Sequence, residues 1–161
     1  MKDEQVPKVA LMPSLQLLYA SRVEVDTPLL LGKSRYGERR IINIKGGAFS
    51  GPRLSGNVLP GGADWQIIRH DAITEVEARY TLETDDGALI YVSNWGLRHG
   101  PKEVMERLAK GEDVDVDEYY FRTTPVFETG APGYKWLNGL VSIAVGQRRA
   151  NEVLITVYEV T

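Results

Sequence analysis

Ile73-Thr74-Glu75-Val76-Glu77-Ala78-Arg79-Tyr80-Thr81-Leu82-Glu83-Thr84, followed at once by Asp85-Asp86-Gly87, is the stretch that decides the fold. Val76, Ala78, Tyr80 and Leu82 fall on one side of an extended chain, and Glu75, Glu77, Arg79, Thr81 and Glu83 on the other. A period of two belongs to a β-strand with one apolar face. Asp-Gly suits the positive φ angles of a tight hairpin, so the chain is expected to fold back into a second strand over Ala88–Asn94.

The same grammar recurs on both sides. In Tyr119–Glu128, Phe121 and Phe127 oppose Tyr120, Arg122, Thr124 and Glu128. In Tyr134–Val145, Leu137, Val141, Ile143 and Val145 oppose Trp136, Asn138 and Ser142. Leu15–Val25, Pro28–Gly32, Arg39–Ile44, Phe49–Leu59, Trp65–His70 and Glu152–Val160 read as further strand segments between glycine and proline turns. Eight or nine strands at this spacing predict an all-β barrel or sandwich. One short helix is expected after Pro101, where Val104 and Leu108 share a face and Gly111 can end it. The 161 residues are expected to form one domain, 1–161, with residues 1–12 as a flexible N-terminal segment.

Alternation leaves two arrangements open. Either the apolar faces meet in a core and the polar faces meet water, or a polar and aromatic lumen lies inside and a partner subunit covers the apolar outside.

Composition narrows the chemistry. The chain has no cysteine, which excludes disulfides, thiolate nucleophiles and cysteine-based metal sites. Its two histidines, His70 and His99, lack any zinc-binding spacing, so neither a metal nor a cofactor is expected. A net charge of −3 argues against nucleic acid as a partner. The basic run Lys33, Arg35, Arg39, Arg40 and Lys45 reads as a solvated hairpin face, and Glu112–Glu118 as a solvated linker. No segment approaches the roughly 18 apolar residues of a membrane span. Nothing near the N-terminus has the pattern of a secretory signal, so no membrane partner and a cytoplasmic location are expected. Ser50 has no GxSxG elbow, and the glycine pairs Gly46-Gly47 and Gly61-Gly62 form no phosphate loop; corners and bulges of a barrel suit them better.

Six ordered blocks carry a family likeness. They are Gly46–Pro52 (GGAFSGP), Gly56–Gln66 (GNVLPGGADWQ), Ala78-Arg79-Tyr80, Asp86–Tyr91 (DGALIY), Tyr120-Phe121-Arg122-Thr123 with Pro125 and Phe127-Glu128-Thr129, and Tyr134–Asn138 (YKWLN). Together they resemble the bacterial and fungal family known as domain of unknown function 3237, over nearly the whole chain from about Leu15. The resemblance implies an antiparallel β-barrel similar to the allene oxide cyclase and dirigent-like barrels, and it favours a lumen that holds one small ligand. It implies no settled activity.

Asp64 follows the Pro60-Gly61-Gly62 turn and precedes Trp65. A carboxylate against an indole in a dry pocket would have a raised pKa suited to acid or base work; the plainer role is to bond the amides of the turn. Glu128 is the second candidate carboxylate. Arg79 and Arg122, mid-strand, suit the stabilisation of a developing oxyanion, or simply pair nearby carboxylates. Trp65, Gln66, Tyr91, Tyr120, Trp136 and Asn138 are the expected pocket walls and hydrogen-bonding tips. His70 shares the strand parity of Asp64 and Gln66 but sits at a strand end. The expected function is a cofactor-free isomerase, cyclase or lyase acting on a small hydrophobic or phenolic ligand. The alternatives are a non-catalytic small-molecule binder and an assembly protein; a homo-oligomer is expected.

Overall fold

A computed structural model describes residues 7–161, of which 7–14 precede the first strand. The part of the expected flexible segment that falls on residues 1–6 lies outside the described residues. Ten antiparallel strands follow: β1 Leu15–Val25, β2 Leu29–Ser34, β3 Gly37–Ser50, β4 Ser55–Val58, β5 Ala63–Ile68, β6 Thr74–Thr84, β7 Leu89–His99, β8 Tyr120–Glu128, β9 Ser142–Arg148 and β10 Glu152–Val160. The helix α1, Lys102–Ala109, and two 3₁₀ helices, Val116–Glu118 and Pro132–Gly139, complete the fold. No helix among the described residues is long and apolar enough to cross a membrane.

The sheet closes because β1 pairs with β10 on one side and with β3 on the other. From β1 the order runs β10, β9, β8, β7, β6, and then β4 and β5, which share one place between β6 and β3. The result is a closed eight-position barrel, with β2 laid against the first half of β3. Closure depends on a close approach at Gly47, whose φ is +149° and where a Cβ would stand 2.0 Å from the Arg22 carbonyl oxygen. The β1–β3 register shifts beside it, between Glu24 and Val25, so this glycine pair does sit at a bulge.

The β6–β7 hairpin pairs Thr74–Glu83 with Arg98–Leu89 in unbroken register around the Asp-Gly turn. Val76, Tyr80 and Leu82 are buried inside the barrel and Glu77 and Arg79 are exposed on its wall. Of the two arrangements that alternation allowed, the apolar faces take the inside. One end is packed by Leu18, Tyr19, Phe49, Leu82, Phe127 and Val157, with the ring of Tyr19 edge-on to Phe49 at 5.3 Å. At the other, α1 buries Val104 and Leu108 with Val76, Val114, Tyr119 and Phe121, the face that the sequence spacing marks.

The segment Tyr134–Val145 corrects the sequence reading. It is not one strand: residues 132–139 form a 3₁₀ helix and the strand starts at Ser142. Pro132 opens the helix, with no N–H to give a ladder. The Asn138 side chain then locks the loop by accepting from the Thr129 N–H and donating to its carbonyl, both at 2.8 Å. The facing of β9 is also the reverse of that expected. Ser142, Ala144 and Gly146 point inward, while Ile143 and Val145 lie half-buried outside. The interior opposite Gly146 is filled by the Phe121 ring, which a Cβ would meet at 2.8 Å.

Candidate functional site

Between the two packed ends the barrel holds a cavity that opens to solvent at one side. Its mouth lies at the β1–β2 and β9–β10 turns, where Asp26, Arg149 and Ala150 are exposed. Val23, Ile42, Ile44, Val76, Phe121 and Ile155 supply much of the wall. Against it stand the polar side chains Asp64, Gln66, Asn94, Arg98, Thr123 and Arg148.

Strand parity aims these groups. On β5, Asp64 and Gln66 face inward and Trp65, between them, faces out. The β5–β6 ladder pairs Asp64 with Ala78 and resumes at Ile67 with Glu75. In the gap, the Glu77 N–H donates to Asp64 Oδ1 at 2.9 Å instead of to a strand carbonyl. Gln66 Nε2 donates to Asp64 Oδ2 at 2.7 Å, and Gln66 Oε1 accepts from Arg98 Nη2 at 3.3 Å. Only one orientation of the amide serves both partners. Asp64, Gln66 and Arg98 thus form a chain along the wall.

Arg98 comes from the inward face of β7, after Ile90, Val92, Asn94 and Gly96. It is only 1% exposed, lies with its guanidinium carbon 5.2 Å from the centre of the Phe121 ring, and leaves its Nε without a partner among the described residues. Arg40 on β3 has a buried, unpartnered Nε, and Arg148 on β9 lines the cavity. Asn94 Oδ1, Thr123 Oγ1 and the Tyr80 hydroxyl are likewise buried without partners among the described residues.

These surroundings move the titrations. Burial raises the Asp64 carboxyl above its ordinary value, against the opposing pull of the Gln66 and Glu77 hydrogen bonds and of Arg98 and Arg40. Burial, with Arg148 and Arg40 nearby, pushes Arg98 down to about 9, so it stays protonated at neutral pH. Burial lowers Arg148 and Arg40 as well, and pushes the Tyr80 phenol up to about 12.

The sequence-predicted residues divide. Asp64 and Gln66 meet in the cavity. Arg79, Tyr91, Glu128 and Asn138 line a shallow groove on the outer wall with Ser93 and Val126. There Arg79 pairs with Glu77 at 2.9 Å. Tyr120 and Arg122 line a second outer groove with Trp95 and Thr124. Glu128 and Arg122 are thus separated by six positions of β8. Trp136, on the 3₁₀ helix, lies under Arg53 at 4.0 Å. His70 is exposed in the turn after β5.

Arg98, Asn94 and Arg148 were missed as site residues. The signal for Arg98 and Asn94 was hairpin arithmetic: an eleven-residue β6 folding back at Asp-Gly needs a partner reaching to about His99, which puts Asn94 and Arg98 on the face of Ile90 and Val92. Arg40 was assigned to the surface run, but its parity on β3 is that of Ile42 and Ile44.

The chain matches the family described as "Protein of unknown function (DUF3237)" over residues 13–160. The chain belongs to the DUF3237 family. A UPF0311 protein of Rhodopseudomonas palustris is 45% identical to this DUF3237 chain over 150 residues, 92% of the chain and 98% of the relative. A crystal structure of that protein, described as conserved and of unknown function, matches with a TM-score of 0.89 at 42% identity, over 95% of this chain and all of that one. A beta-barrel like protein of Acinetobacter baumannii matches with a TM-score of 0.81 at 40% identity, over 99% of this chain and all of that one. An enzyme from Penicillium herquei shares the barrel with a TM-score of 0.73 at 18% identity, over 97% of this DUF3237 chain and all of that one.

Proposed function

We propose that the barrel cavity binds a small, largely apolar molecule and that Asp64 moves a proton on it, in a cofactor-free isomerisation, cyclisation or elimination. The observation that carries this reading is the setting of Asp64. It is a carboxylate on an apolar cavity wall, with a raised pKa, held from two sides by Gln66 and the Glu77 N–H. A carboxyl tuned upward works as base or acid nearer to neutral pH. As base it takes a proton from the ligand, and as acid it returns that proton at another atom. Arg98, linked through Gln66, lies where negative charge left on the ligand can be stabilised. Arg98 and Arg148 line the cavity wall and Arg149 its mouth, whereas Arg79 and Arg122 lie in the outer grooves. An enzyme of the same fold in Penicillium herquei is compatible with catalysis in such a barrel, at the level of fold alone.

The test is Asp64→Asn, in a panel of small aromatic and aliphatic metabolites screened by thermal unfolding and then by turnover. Binding within a few fold of wild type with turnover reduced at least a hundredfold supports proton transfer by Asp64. Unchanged turnover rejects it, and binding without turnover in wild type favours the non-catalytic binder. The expected homo-oligomer is favoured by Tyr91, Trp95, Tyr120 and Val126, all exposed on the outer face of β7 and β8. Light scattering behind size exclusion tests it, and a mass of 18.0 kDa rejects it.

A further inference from the structure

Buried cations need partners, and the cavity has more cations than carboxylates. Arg98 and Arg148 line its wall, with Arg149 and Asp26 at the mouth, and among the described residues Asp64 is the carboxylate that acts on Arg98 and Arg148. Asp64 is already engaged by Gln66 and by the Glu77 N–H. Arg40 adds a third guanidinium, with Glu38 beside it as a further partner. Tyr119 also acts on Arg98 and Arg148, but its hydroxyl accepts the Arg148 backbone N–H at 3.0 Å. Among the described residues Arg98 has one side-chain hydrogen bond, a 3.3 Å contact to an uncharged amide, and a free Nε in a fully buried position. Such a guanidinium is costly to bury without an anionic partner. Thr123 Oγ1, also unpartnered and lining the cavity, can give a further donor.

We propose that the ligand of this cavity is an anion: a compact apolar body bearing one carboxylate, held by Arg98 and Arg148 while the body lies against Val23, Ile42, Ile44 and Phe121. This rests on the reading of the cavity as the ligand site and adds the substrate class. A carboxylate accepts from a guanidinium through charge-assisted bonds that a neutral group of the same shape does not reproduce. The apolar wall gives affinity without a preference for charge, so the sign of the head group is set by the arginines.

The probes are 2-naphthoate and its neutral near-isostere 2-naphthamide, titrated calorimetrically into the full chain at neutral pH. Naphthoate is expected to bind about ten- to a hundredfold more tightly than the amide. In Arg98→Met that preference is expected to fall to within about threefold, while the ligand-free variant melts at or above the wild-type temperature, because an uncompensated buried charge has been removed. Arg148→Met, expected to reduce the preference in the same direction, keeps the test open if Arg98→Met fails to fold. Equal binding of acid and amide by wild type overturns the anion proposal and leaves the cavity as a binding site. An unchanged preference in both folded variants also overturns it. Failure of both probes to bind at millimolar concentration overturns the anion proposal together with the cavity reading.

Discussion

Arg98 and Asp64, opposite charges on one cavity wall, are joined through an amide and not as an ion pair. Gln66 accepts from Arg98 at 3.3 Å and donates to Asp64 at 2.7 Å. A direct pair would neutralise both charges and hold the carboxyl low. The interposed amide orients Asp64 while leaving burial to raise it, and it leaves the Arg98 Nε free.

Gln66→Met tests that arrangement. It removes the acceptor of Arg98 and a donor to Asp64 while nearly conserving volume. Each buried group left unsatisfied costs about 1–3 kcal/mol, so urea unfolding is expected to show a loss of about 2 kcal/mol or more. A loss under about 0.5 kcal/mol would mean that the amide links nothing of consequence.

The raised Asp64 carboxyl gives a pH dependence with a definite sign. Between the ordinary aspartate value and the folded value, the native state holds more protons than the unfolded chain, so this group's contribution to stability grows as pH falls. It is fully present below the ordinary value and is lost as pH rises through the folded one. Asp64→Asn has no such titration. The stability of wild type minus that of Asp64→Asn is therefore expected to rise from pH 7 to pH 4. Taking the difference cancels the carboxylates Asp71, Asp86 and Glu152, whose lowered pKa values weaken both proteins in acid. A flat or opposite slope in chemical denaturation rejects a raised Asp64.

Much of the barrel was legible because half-buried antiparallel strands write their facing into a period of two. β6 and β8 have the facing expected of them, and Asp64 and Gln66 share a wall because they are two residues apart on β5. β9 was legible in neither bounds nor facing, since the expected strand Tyr134–Val145 overlaps it only over Ser142–Val145. Its small inward residues, Ser142, Ala144 and Gly146, make room for large side chains from other strands, Phe121 at Gly146, and a rule that sends large apolar residues inward reverses such a strand. Arg98 and Arg40 were hidden for a related reason: charge is read as solvent-facing, yet parity puts both in the barrel. The outer-wall positions of Arg79, Arg122, Tyr91 and Glu128 follow from the same parity, once the apolar faces are known to point in.

The outer-wall residues supply a control on the interior site. Arg79 and its partner Glu77 are both about half exposed, and exposed pairs contribute about 0–1 kcal/mol. Arg79→Ala, Arg122→Ala and Glu128→Ala are each expected to change stability by no more than about 1 kcal/mol. They are also expected to leave calorimetric affinity for 2-naphthoate within about twofold of wild type. A tenfold loss in any of them would move the ligand site to the outer grooves.

Closure of the barrel gives the last prediction. At Gly47 the backbone of β3 lies so close to β1 that a Cβ would stand 2.0 Å from the Arg22 carbonyl oxygen, at a φ that side chains rarely adopt. Both strains act on the one seam, β1–β3, that turns the sheet into a ring. Gly47→Ala is therefore expected to lose about 3 kcal/mol or more, and hydrogen exchange of the Arg22–Glu24 amides should rise before that of the β6–β7 hairpin. Gly61→Ala is the control: its φ is also positive, but no atom lies within 4 Å of the added carbon, so its cost should be confined to the backbone, about 1–2 kcal/mol. Equal losses for the two would show that conformation alone, and not contact across the seam, requires glycine at position 47.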